Sequence, residues 1–241
     1  MKRLVDIAIS LTGLFIASPI LLIVSFLVWV QDFKMPFYIP YRVGKNQKQF
    51  KMIKLRSMIV NADASGVDST GANDSRITAI GHLIRKFKLD ELTQLWNVLR
   101  GDMSLVGPRP NVISETNLYT DVEKKLLDVR PGITDISSIV FSDEGDILSN
   151  YDDPDLAYNQ LIRPWKSRLG IIYINNQSFL LDLQLIFMTM IAILSKKKAL
   201  NWISKKLMEL DVDENIIEVC KRESDLLPHP PPGSENIVKA R

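Results

Sequence analysis

The chain has 241 residues, of which 46% are hydrophobic, and its 30 Lys and Arg residues against 28 Asp and Glu give a net charge of +2. This length suffices for one domain of ordinary size plus a membrane segment, and a charge so close to balance excludes any argument for nucleic-acid binding from bulk charge. Cys220 is the one cysteine, which excludes an intrachain disulfide and fits a reducing compartment.

The first predicted element is an apolar stretch over residues 4–30, which contains one charged residue, Asp6. About 20 apolar residues cross a bilayer as a helix. A signal peptide would have a shorter apolar region and a cleavage site of small residues. This stretch ends beside Trp29, a residue type common at membrane interfaces. We therefore expect a retained membrane helix.

Ser18 and Pro19 interrupt this stretch near its middle. Proline removes a backbone hydrogen bond, and a neighbouring serine can bond a freed carbonyl. The pair predicts either a kinked spanning helix or a re-entrant helix that leaves on the side it entered. Basic residues flank both ends, with Lys2 and Arg3 before the stretch and a basic segment over residues 34–56 after it. This fits two cytoplasmic ends, but spanning helices also carry basic flanks, so both forms stay open.

The next elements alternate between short strands, a loop and helices. Residues 36–60 read as short strands, and the small polar residues 61–75 read as a surface loop. Residues 77–87 predict a helix with a basic end. Residues 89–100 predict the clearest helix, because leucines recur at helical spacing and Gly101 follows as a stop signal.

The C-terminal third is predicted to be helical up to a proline-rich tail. Residues 121–129 and 155–173 have helical patterns. Residues 179–194 are apolar but short for a span, which leaves a core helix and a membrane-surface helix equally open. For residues 199–210, the lysines and Trp202 favour a helix in the membrane surface over a core helix. The tail begins near residue 226.

Carboxylates and arginines are the candidate chemical groups, since the sequence has two histidines and no glycine-rich phosphate loop. Asp90 and Glu91 open the predicted 89–100 helix, where the helix dipole keeps a carboxylate ionised, although acidic residues there are also common as simple caps. Three arginines, Arg85, Arg109 and Arg130, are suited to binding phosphate with two donors, the alternative being surface ion pairs. Together with a divalent cation these groups would suit phosphoryl transfer.

The segment KLDELTQLWNVLRGDMSLVGPRP, residues 88–110, closely resembles the bacterial sugar transferases, specifically the small monotopic phosphoglycosyl transferases that use polyprenyl phosphate. Three further segments are similar to motifs of that family. The Ser18-Pro19 break resembles its re-entrant membrane helix, residues 54–58 (KLRSM) its basic motif, and residues 129–134 (VRPGIT) its third motif. The resemblance covers about residues 1–195 and leaves the last 45 or so uncovered.

The resemblance implies a two-step reaction. Asp90 would attack the phosphate nearer the sugar of a UDP-sugar and release UMP, and polyprenyl (undecaprenyl) phosphate would then take the phosphosugar from the aspartate. Glu91 would position the metal or assist the second step, and Mg²⁺ would bind near Asp90. Substrate phosphates would be held by the basic residues of these motifs: Lys54, Arg56, Arg85, Arg109 and Arg130.

The sequence departs from the family after Thr134. The family usually continues with Gly, an apolar residue and Ala-Gln-Val, whereas this chain has Asp-Ile-Ser-Ser-Ile at residues 135–139. The departure concerns the sugar and nucleotide contacts and leaves the Asp90 chemistry untouched. Within the family the sequence resembles the small, single-hairpin type, so we expect no additional N-terminal membrane helices like those of larger relatives.

We predict a predominantly helical α+β fold in three parts: a re-entrant membrane helix (1–32), a phosphoglycosyl transferase catalytic domain (33–195), and a basic amphipathic helix with a proline-rich tail (196–241). The catalytic domain would lie on the cytoplasmic face of the bacterial inner membrane and start a membrane glycan such as an exopolysaccharide. No nucleic-acid partner is expected, and a homo-oligomer stays open. The alternatives are a non-catalytic membrane adaptor that binds lipid phosphates and a metal-dependent lipid pyrophosphate phosphatase.

Overall fold

A computed structural model describes residues 1–67 and 69–239 of the chain. It begins with helix α1 (Lys2–Val30), which is long and apolar enough to cross a membrane. Pro19 lies inside α1 without ending it, and the Ser18 hydroxyl donates a hydrogen bond of 2.8 Å to the carbonyl of Phe15. The Ser18-Pro19 pair is therefore accommodated within one helix, with the serine bonding a carbonyl of the preceding turn as its chemistry predicts.

The N-terminal end of α1 is bonded to the globular part of the chain. The Lys2 ammonium lies 2.6 Å from the Asp182 carboxylate, and the Arg3 guanidinium donates to the carbonyls of Val98 and Leu99. The buried Asp6 carboxylate accepts a hydrogen bond of 2.9 Å from the Ser104 hydroxyl. The charged residues at this end thus make specific protein contacts.

The C-terminal end of α1 contacts the same globular part. Val24 and Val28 pack with Leu55 and Ile84 in a small apolar cluster. The Arg56 guanidinium donates to both carboxylate oxygens of Asp32, just beyond the helix, at 2.5 and 2.7 Å. Both ends of the apolar helix are therefore held by one globular body.

Six short strands in the described part of the chain form three two-stranded sheets, and four of these strands confirm the short strands expected over residues 36–60. β1 (Phe37–Tyr38) pairs antiparallel with β4 (Lys54–Leu55), β2 (Tyr41–Val43) pairs antiparallel with β3 (Gln49–Lys51), and β5 (Ser104–Val106) pairs parallel with β6 (Gly132–Thr134). Short 3₁₀ helices at Lys45–Gln47 and Ala62–Ser65 lie between β2 and β3 and in the loop after β4.

The β5–β6 pair brings two arginine-bearing turns together at a very close backbone contact. A Cβ atom on Gly132 would lie 2.1 Å from the amide nitrogen of Gly107, so both positions require glycine. The Gly107 amide donates to the Thr134 carbonyl at 3.0 Å, and the Gly132 amide donates to the Pro108 carbonyl at 3.0 Å. The turn that carries Arg109 is thereby fixed against β6.

The remaining helices are mostly short. They are α2 (Ala79–Lys86), α3 (Leu89–Leu92), α4 (Leu95–Arg100), α5 (Ile113–Thr116), a 3₁₀ helix (Glu123–Asp128), α6 (Ile136–Val140), α7 (Glu144–Leu148), α8 (Pro154–Ala157), a π-helical segment (Tyr158–Ile162), α9 (Arg163–Asn175), α10 (Phe179–Leu194), α11 (Lys196–Glu209) and α12 (Glu214–Lys221). The predictions of helix over residues 77–87, 155–173 and 179–194 are confirmed with shifted bounds at some ends.

The single helix predicted over residues 89–100 is wrong in one respect, since it is divided between α3 and α4. The Thr93 hydroxyl donates to the carbonyl of Asp90 and to that of Ile53, both at 2.9 Å. The Gln94 amide consequently bonds the Glu91 carbonyl, one residue short of the α-helical partner. A hydroxyl that competes for a backbone carbonyl is a known cause of such breaks.

The C-terminal helices correct the expectation of a membrane-surface helix over residues 199–210. In α11 the apolar side chains of Leu200, Ile203 and Leu207 are buried in the main core together with Leu169 of α9. Helix α11, which begins at the predicted boundary at residue 196, therefore packs on the same core as the helices before it. Exposed apolar side chains lie instead along α10, including Phe187, Met190, Ile193 and Leu194.

The proline-rich tail packs on α9 and the π-helical segment. Pro164 has no N–H for the Gln160 carbonyl, and the His229 amide donates to that carbonyl at 3.0 Å. The Arg168 guanidinium donates to the Pro230 carbonyl at 3.0 Å. The tail is thus an ordered part of the same body.

Candidate active site

Asp90 and Glu91 lie in the first turn of α3, at the end of a sharp turn. Thr78 caps the start of α2 by accepting a hydrogen bond from the Gly81 amide. After α2, Lys88 adopts a left-handed conformation with φ of 52°, and this turns the chain into α3. The two predicted catalytic carboxylates thus lie directly after a fixed junction between two helices.

Lys54 in β4 is the basic partner of Asp90. Its ammonium nitrogen lies 3.6 Å from Oδ2 of Asp90, and the two side chains are 21% and 13% exposed. Burial lowers the pKa of Lys54 below its ordinary value of 10.5, and the Asp90 charge opposes this effect only in part. The structure therefore brings together two residues that the sequence analysis had placed in different motifs.

Two buried side chains of the helix pair hold the segment before Lys54. The Asn97 amide group accepts a hydrogen bond from the Ile53 amide at 2.9 Å and donates to the Lys51 carbonyl at 2.7 Å. The Thr93 hydroxyl bonds the Ile53 carbonyl. These positioning roles could not be predicted from the sequence, because a polar residue inside a helix gives no sign of the strand that it will contact.

Arg109 is the partner of Glu91. Its guanidinium donates to Oε1 of Glu91 at 2.8 Å and to the Ile133 carbonyl of β6 at 3.2 Å. Burial alone would raise the pKa of Glu91, but the charges of Arg109, Lys88 and Lys54 and the hydrogen bond from Arg109 together lower it from 4.5 to about 2. The Glu91 carboxylate in turn raises the pKa of Arg109. This ion pair fixes α3 against the third motif.

The two carboxylates differ in their bonding. Glu91 is held by a short charged hydrogen bond. No side chain or amide in the described part of the chain donates a hydrogen bond to the Asp90 carboxylate, whose nearest basic group stands 3.6 Å away. A carboxylate with an uncommitted oxygen suits a nucleophile or metal ligand, whereas a fixed one suits positioning.

Three of the predicted phosphate ligands, Arg56, Arg85 and Arg130, make no hydrogen bond or ion pair with Asp90 or Glu91 among the described residues. The buried Arg56 directs its donors to Asp32 and to the carbonyls of Met35 and Val28, so it has a structural role at the end of α1. These contacts correct the prediction that Arg56 binds a substrate phosphate. Arg130 is exposed and donates to the Gly101 carbonyl at 2.9 Å.

Arg85 lies in the last turn of α2, and its charge acts on the loop that precedes this helix. Its charge adds to the larger effect of Arg76 in lowering the pKa of Asp74. Among the described residues, no hydrogen bond or ion pair joins Arg85 to Asp90 or Glu91. Lys54 and Arg109 are therefore the basic partners of the dyad. The charge of Arg85 acts instead on Asp74, in the surface loop predicted over residues 61–75.

Asp90 is the residue of the dyad that could contribute a ligand to the predicted magnesium ion. Within residues 1–67 and 69–239, no group of three or more His, Cys, Asp and Glu side chains could hold a metal alone. Mg²⁺ in phosphoryl-transfer enzymes is usually bound by one or two carboxylates together with substrate phosphates and water. Asp90, whose carboxylate accepts no hydrogen bond in the described structure, provides such a ligand.

The sequence departure after Thr134 has a local structural explanation. The buried Asp135 is the N-cap of α6, and its carboxylate accepts hydrogen bonds from the Ser138 amide at 2.7 Å and from the hydroxyls of Ser137 and Ser138. Aspartate at this position stabilises the start of a helix. The substituted residues therefore form a self-contained cap.

A carboxylate pair with partly buried basic partners, on a body that carries a long apolar helix, is compatible with an enzyme at a membrane. The comparison with protein families is specific: a family model described as "Bacterial sugar transferase" matches residues 1–196. The chain belongs to this family, and its activity is that of a transferase. The resemblance seen in the sequence is confirmed over the extent expected.

Individual relatives agree with this assignment. A putative undecaprenyl-phosphate N-acetylgalactosaminyl 1-phosphate transferase of Bacillus subtilis is 43% identical over 133 residues, which are 55% of this chain and 70% of the relative. The exopolysaccharide production protein ExoY of Sinorhizobium fredii is 33% identical over 80% of this chain and 84% of its own length. An undecaprenyl-phosphate galactose phosphotransferase of Salmonella typhimurium is 34% identical over 83% of this chain and 41% of its own length.

Proposed function

We propose that this protein transfers a sugar 1-phosphate from a UDP-sugar to undecaprenyl phosphate, releases UMP, and so starts the assembly of a membrane-associated glycan. The relatives support the general reaction, since their names describe undecaprenyl-phosphate sugar phosphotransferases. The covalent route and the role of each residue are our inference from the site.

The observation that carries the proposal is the unequal bonding of Asp90 and Glu91. Asp90 has a carboxylate oxygen available to attack, and Lys54 lies close enough to balance charge without a short hydrogen bond. Glu91 is committed to Arg109. We therefore assign the nucleophile to Asp90 and a positioning role to Glu91.

In the first step, an Asp90 oxygen forms a bond to the phosphorus nearer the sugar, and the bond from that phosphorus to the bridging oxygen breaks. UMP leaves with the electron pair. In the second step, an oxygen of the lipid phosphate attacks the same phosphorus and returns the Asp90 carboxylate. Two such displacements replace one difficult step, as in other nucleophilic catalysis.

Basic side chains would stabilise the charge that moves in these steps. Lys54 adjoins the nucleophile, and Arg109 has further donors beyond those bonded to Glu91 and to the Ile133 carbonyl. Mg²⁺, when bound by Asp90 and substrate phosphates, would neutralise charge on the diphosphate.

The contacts of α1 support a re-entrant topology with both ends on the cytoplasmic side. Lys2 and Arg3 bond one side of the globular body, and Val28 packs on Leu55, next to Lys54. A straight crossing would remove one end from that body. We therefore propose that α1 enters and leaves the inner membrane on the cytoplasmic face, with the site at the depth of lipid phosphates.

The test is a single-turnover assay on the full chain in lipid nanodiscs, with Mg²⁺ and a panel of UDP-sugars. Without lipid acceptor, the matching UDP-sugar should release UMP up to one equivalent per site and then stop. Asp90→Asn should release none, and Glu91→Gln, which retains the nucleophile, should still show a slower burst. Release that strictly requires polyprenyl phosphate would contradict the covalent route.

The same assay separates the alternatives. A membrane adaptor would release no UMP from any UDP-sugar, with or without lipid. A lipid pyrophosphate phosphatase would release inorganic phosphate from polyprenyl diphosphate and would not need a nucleotide sugar.

A further inference from the structure

The ammonium group of Lys2, the first residue of α1, is fully bonded within the globular part of the chain. It lies 3.0 Å from the Val106 carbonyl oxygen, 3.0 Å from the Tyr173 hydroxyl oxygen and 2.6 Å from Oδ2 of Asp182, in the first turn of α10. A lysine ammonium has three donor hydrogens and no acceptor. Three acceptors therefore match its three donors, and we call the group formed by Lys2, Val106, Tyr173 and Asp182 the Lys2 clasp.

The buried hydroxyl of Tyr173 shows which side chain holds the Val106 carbonyl. This hydroxyl lies 2.6 Å from Oδ1 of Asp182 and 3.3 Å from the Val106 carbonyl oxygen. Burial, and then the hydrogen bond to Asp182, raise the pKa of Tyr173, so the phenol keeps its proton. Because a hydroxyl has one hydrogen and the charged carboxylate is the nearer and stronger acceptor, that hydrogen is donated to Asp182. Lys2 is therefore the side chain of the clasp that bonds the Val106 carbonyl.

Val106 is the last residue of β5, and the turn that follows it carries Arg109. The two residues between them restrict the backbone. The Gly107 amide donates to the Thr134 carbonyl at 3.0 Å, and the ring of Pro108 fixes its own φ. A displacement of the Val106 carbonyl is therefore passed on to Arg109.

The Lys2 clasp is connected to the dyad through this turn. Arg109 donates to the Glu91 carboxylate at 2.8 Å. Among the described residues, no hydrogen bond or ion pair joins Lys2, Tyr173 or Asp182 to Asp90 or Glu91. The clasp can therefore influence the reaction through the position of Arg109, without contact with the reacting atoms.

We propose that Lys2 is a positioning residue of the reaction, whose ammonium holds the Val106 carbonyl so that the turn after β5 presents Arg109 to Glu91 and to the substrate. The clasp forms when the start of α1 lies on the globular body, so docking of α1 and assembly of the site are connected. The effect on activity rests on the proposed function, whereas the hold on the turn is measurable without activity.

The experiment uses two variants of the full chain in nanodiscs that weaken the clasp in different ways. Lys2→Met removes the ammonium. Tyr173→Phe removes one of its three acceptors and keeps every charge, so the charge signal for the topology of α1 is retained. Lys196→Met is the matched control, because Lys196 is as exposed as Lys2, at 32%, and its ion pair with Asp143, at 2.5 Å, makes no bond to β5.

The first measurement is hydrogen exchange of peptides that cover residues 104–110. The Gly107 amide bonds the Thr134 carbonyl, so its exchange reports opening of the turn. We expect exchange about tenfold faster in Lys2→Met, as for loss of a charged hydrogen bond, and about threefold faster in Tyr173→Phe, which leaves Lys2 two acceptors. Lys196→Met should exchange there like the parent.

The second measurement is the rate of the UMP burst in the single-turnover assay. Lys2→Met should slow the burst about tenfold, in proportion to the loosened turn. In an Arg109→Lys background the same change should slow it by less than about twofold, because the guanidinium that the clasp positions is already absent. A general loss of stability would give the same factor in both backgrounds.

Unchanged exchange of residues 104–110 in Lys2→Met would overturn the proposal, as would faster exchange with an unchanged burst. An equal slowing in the parent and Arg109→Lys backgrounds would also overturn it, and so would an equal effect of Lys196→Met. Failure of the proposed function is a different result: the parent itself then releases no UMP, and the exchange rates still decide whether the Lys2 clasp holds the turn.

Discussion

The Glu91–Arg109 ion pair should show a large energetic coupling in a double-mutant cycle of Glu91→Gln, Arg109→Gln and the double variant. The two side chains are 19% and 30% exposed and joined at 2.8 Å. The pKa of Glu91 falls from 4.5 to about 2, and this difference corresponds to roughly 3 kcal/mol of stability at neutral pH. Lys88 and Lys54 contribute part of it, so we expect about 2 kcal/mol of coupling for the pair itself.

Thermal unfolding of the purified protein in detergent provides the measurement. For a chain of this length, about 2 kcal/mol corresponds to a fall in Tm of about 4–8 °C for Arg109→Gln. Because the folded pKa of Glu91 is depressed, its stabilisation is complete above pH 4.5 and is lost as the pH falls toward about 2. The coupling at pH 3 should therefore be less than half of its value at pH 7.

Arg130 is the control for this cycle, because it is exposed and bonds the Gly101 carbonyl instead of Glu91. Arg130→Gln and Glu91→Gln should have additive effects on Tm. Coupling near zero between Glu91 and Arg109 at pH 7, or coupling of equal size at pH 3, would refute the reasoning from the lowered pKa.

Further predictions concern Lys54, Arg56 and Pro19. Because burial lowers the pKa of Lys54, the ammonium should be lost, and activity should fall, as the pH rises through a value below 10.5, and Lys54→Arg should move this alkaline limit upward in a pH–rate profile. Arg56→Met should lower Tm clearly more than loss of an exposed arginine, because it leaves Asp32 without its partner, while a purified protein that stays folded should still give the UMP burst. Pro19→Leu should favour a spanning α1, so that a cysteine at position 2 becomes reactive to reagents outside intact cells, whereas we expect the same cysteine in the protein with Pro19 to stay unreactive.

Sequence patterns located the dyad, the short strands and most helices, because these depend on local spacing and on motifs that lie within one segment. Asp90, Glu91, Lys54 and Arg109 were all predicted, and the structure brings these four together. Their pairing could not be predicted. It depends on how β4 and the turn after β5 meet α3, and no spacing along the chain encodes that contact.

The errors also have a physical pattern. Arg56 has the same charge as Lys54 and lies in the same motif, yet it stands just beyond the end of β4, and its guanidinium bonds Asp32. Residues 199–210 have the composition of a membrane-surface helix, but α10 and α6 cover their apolar face. Composition describes a helix surface and does not specify what covers it.

The two ends of α1 contact the segments next to the dyad and next to its basic partner Lys54. Arg3 bonds the last carbonyls of α4, the helix that continues from the dyad, whereas Val28 packs on Leu55, the neighbour of Lys54. The contact of Arg3 and the contact of Val28 are separated by the length of α1, and the Asp90–Lys54 pair lies between the segments that they hold. In the re-entrant topology proposed above, both contacts stay on one body, whereas a helix that crosses the bilayer would separate them. In that topology the Ser18-Pro19 pair would contribute to the assembly of the active site as well as to its depth in the membrane.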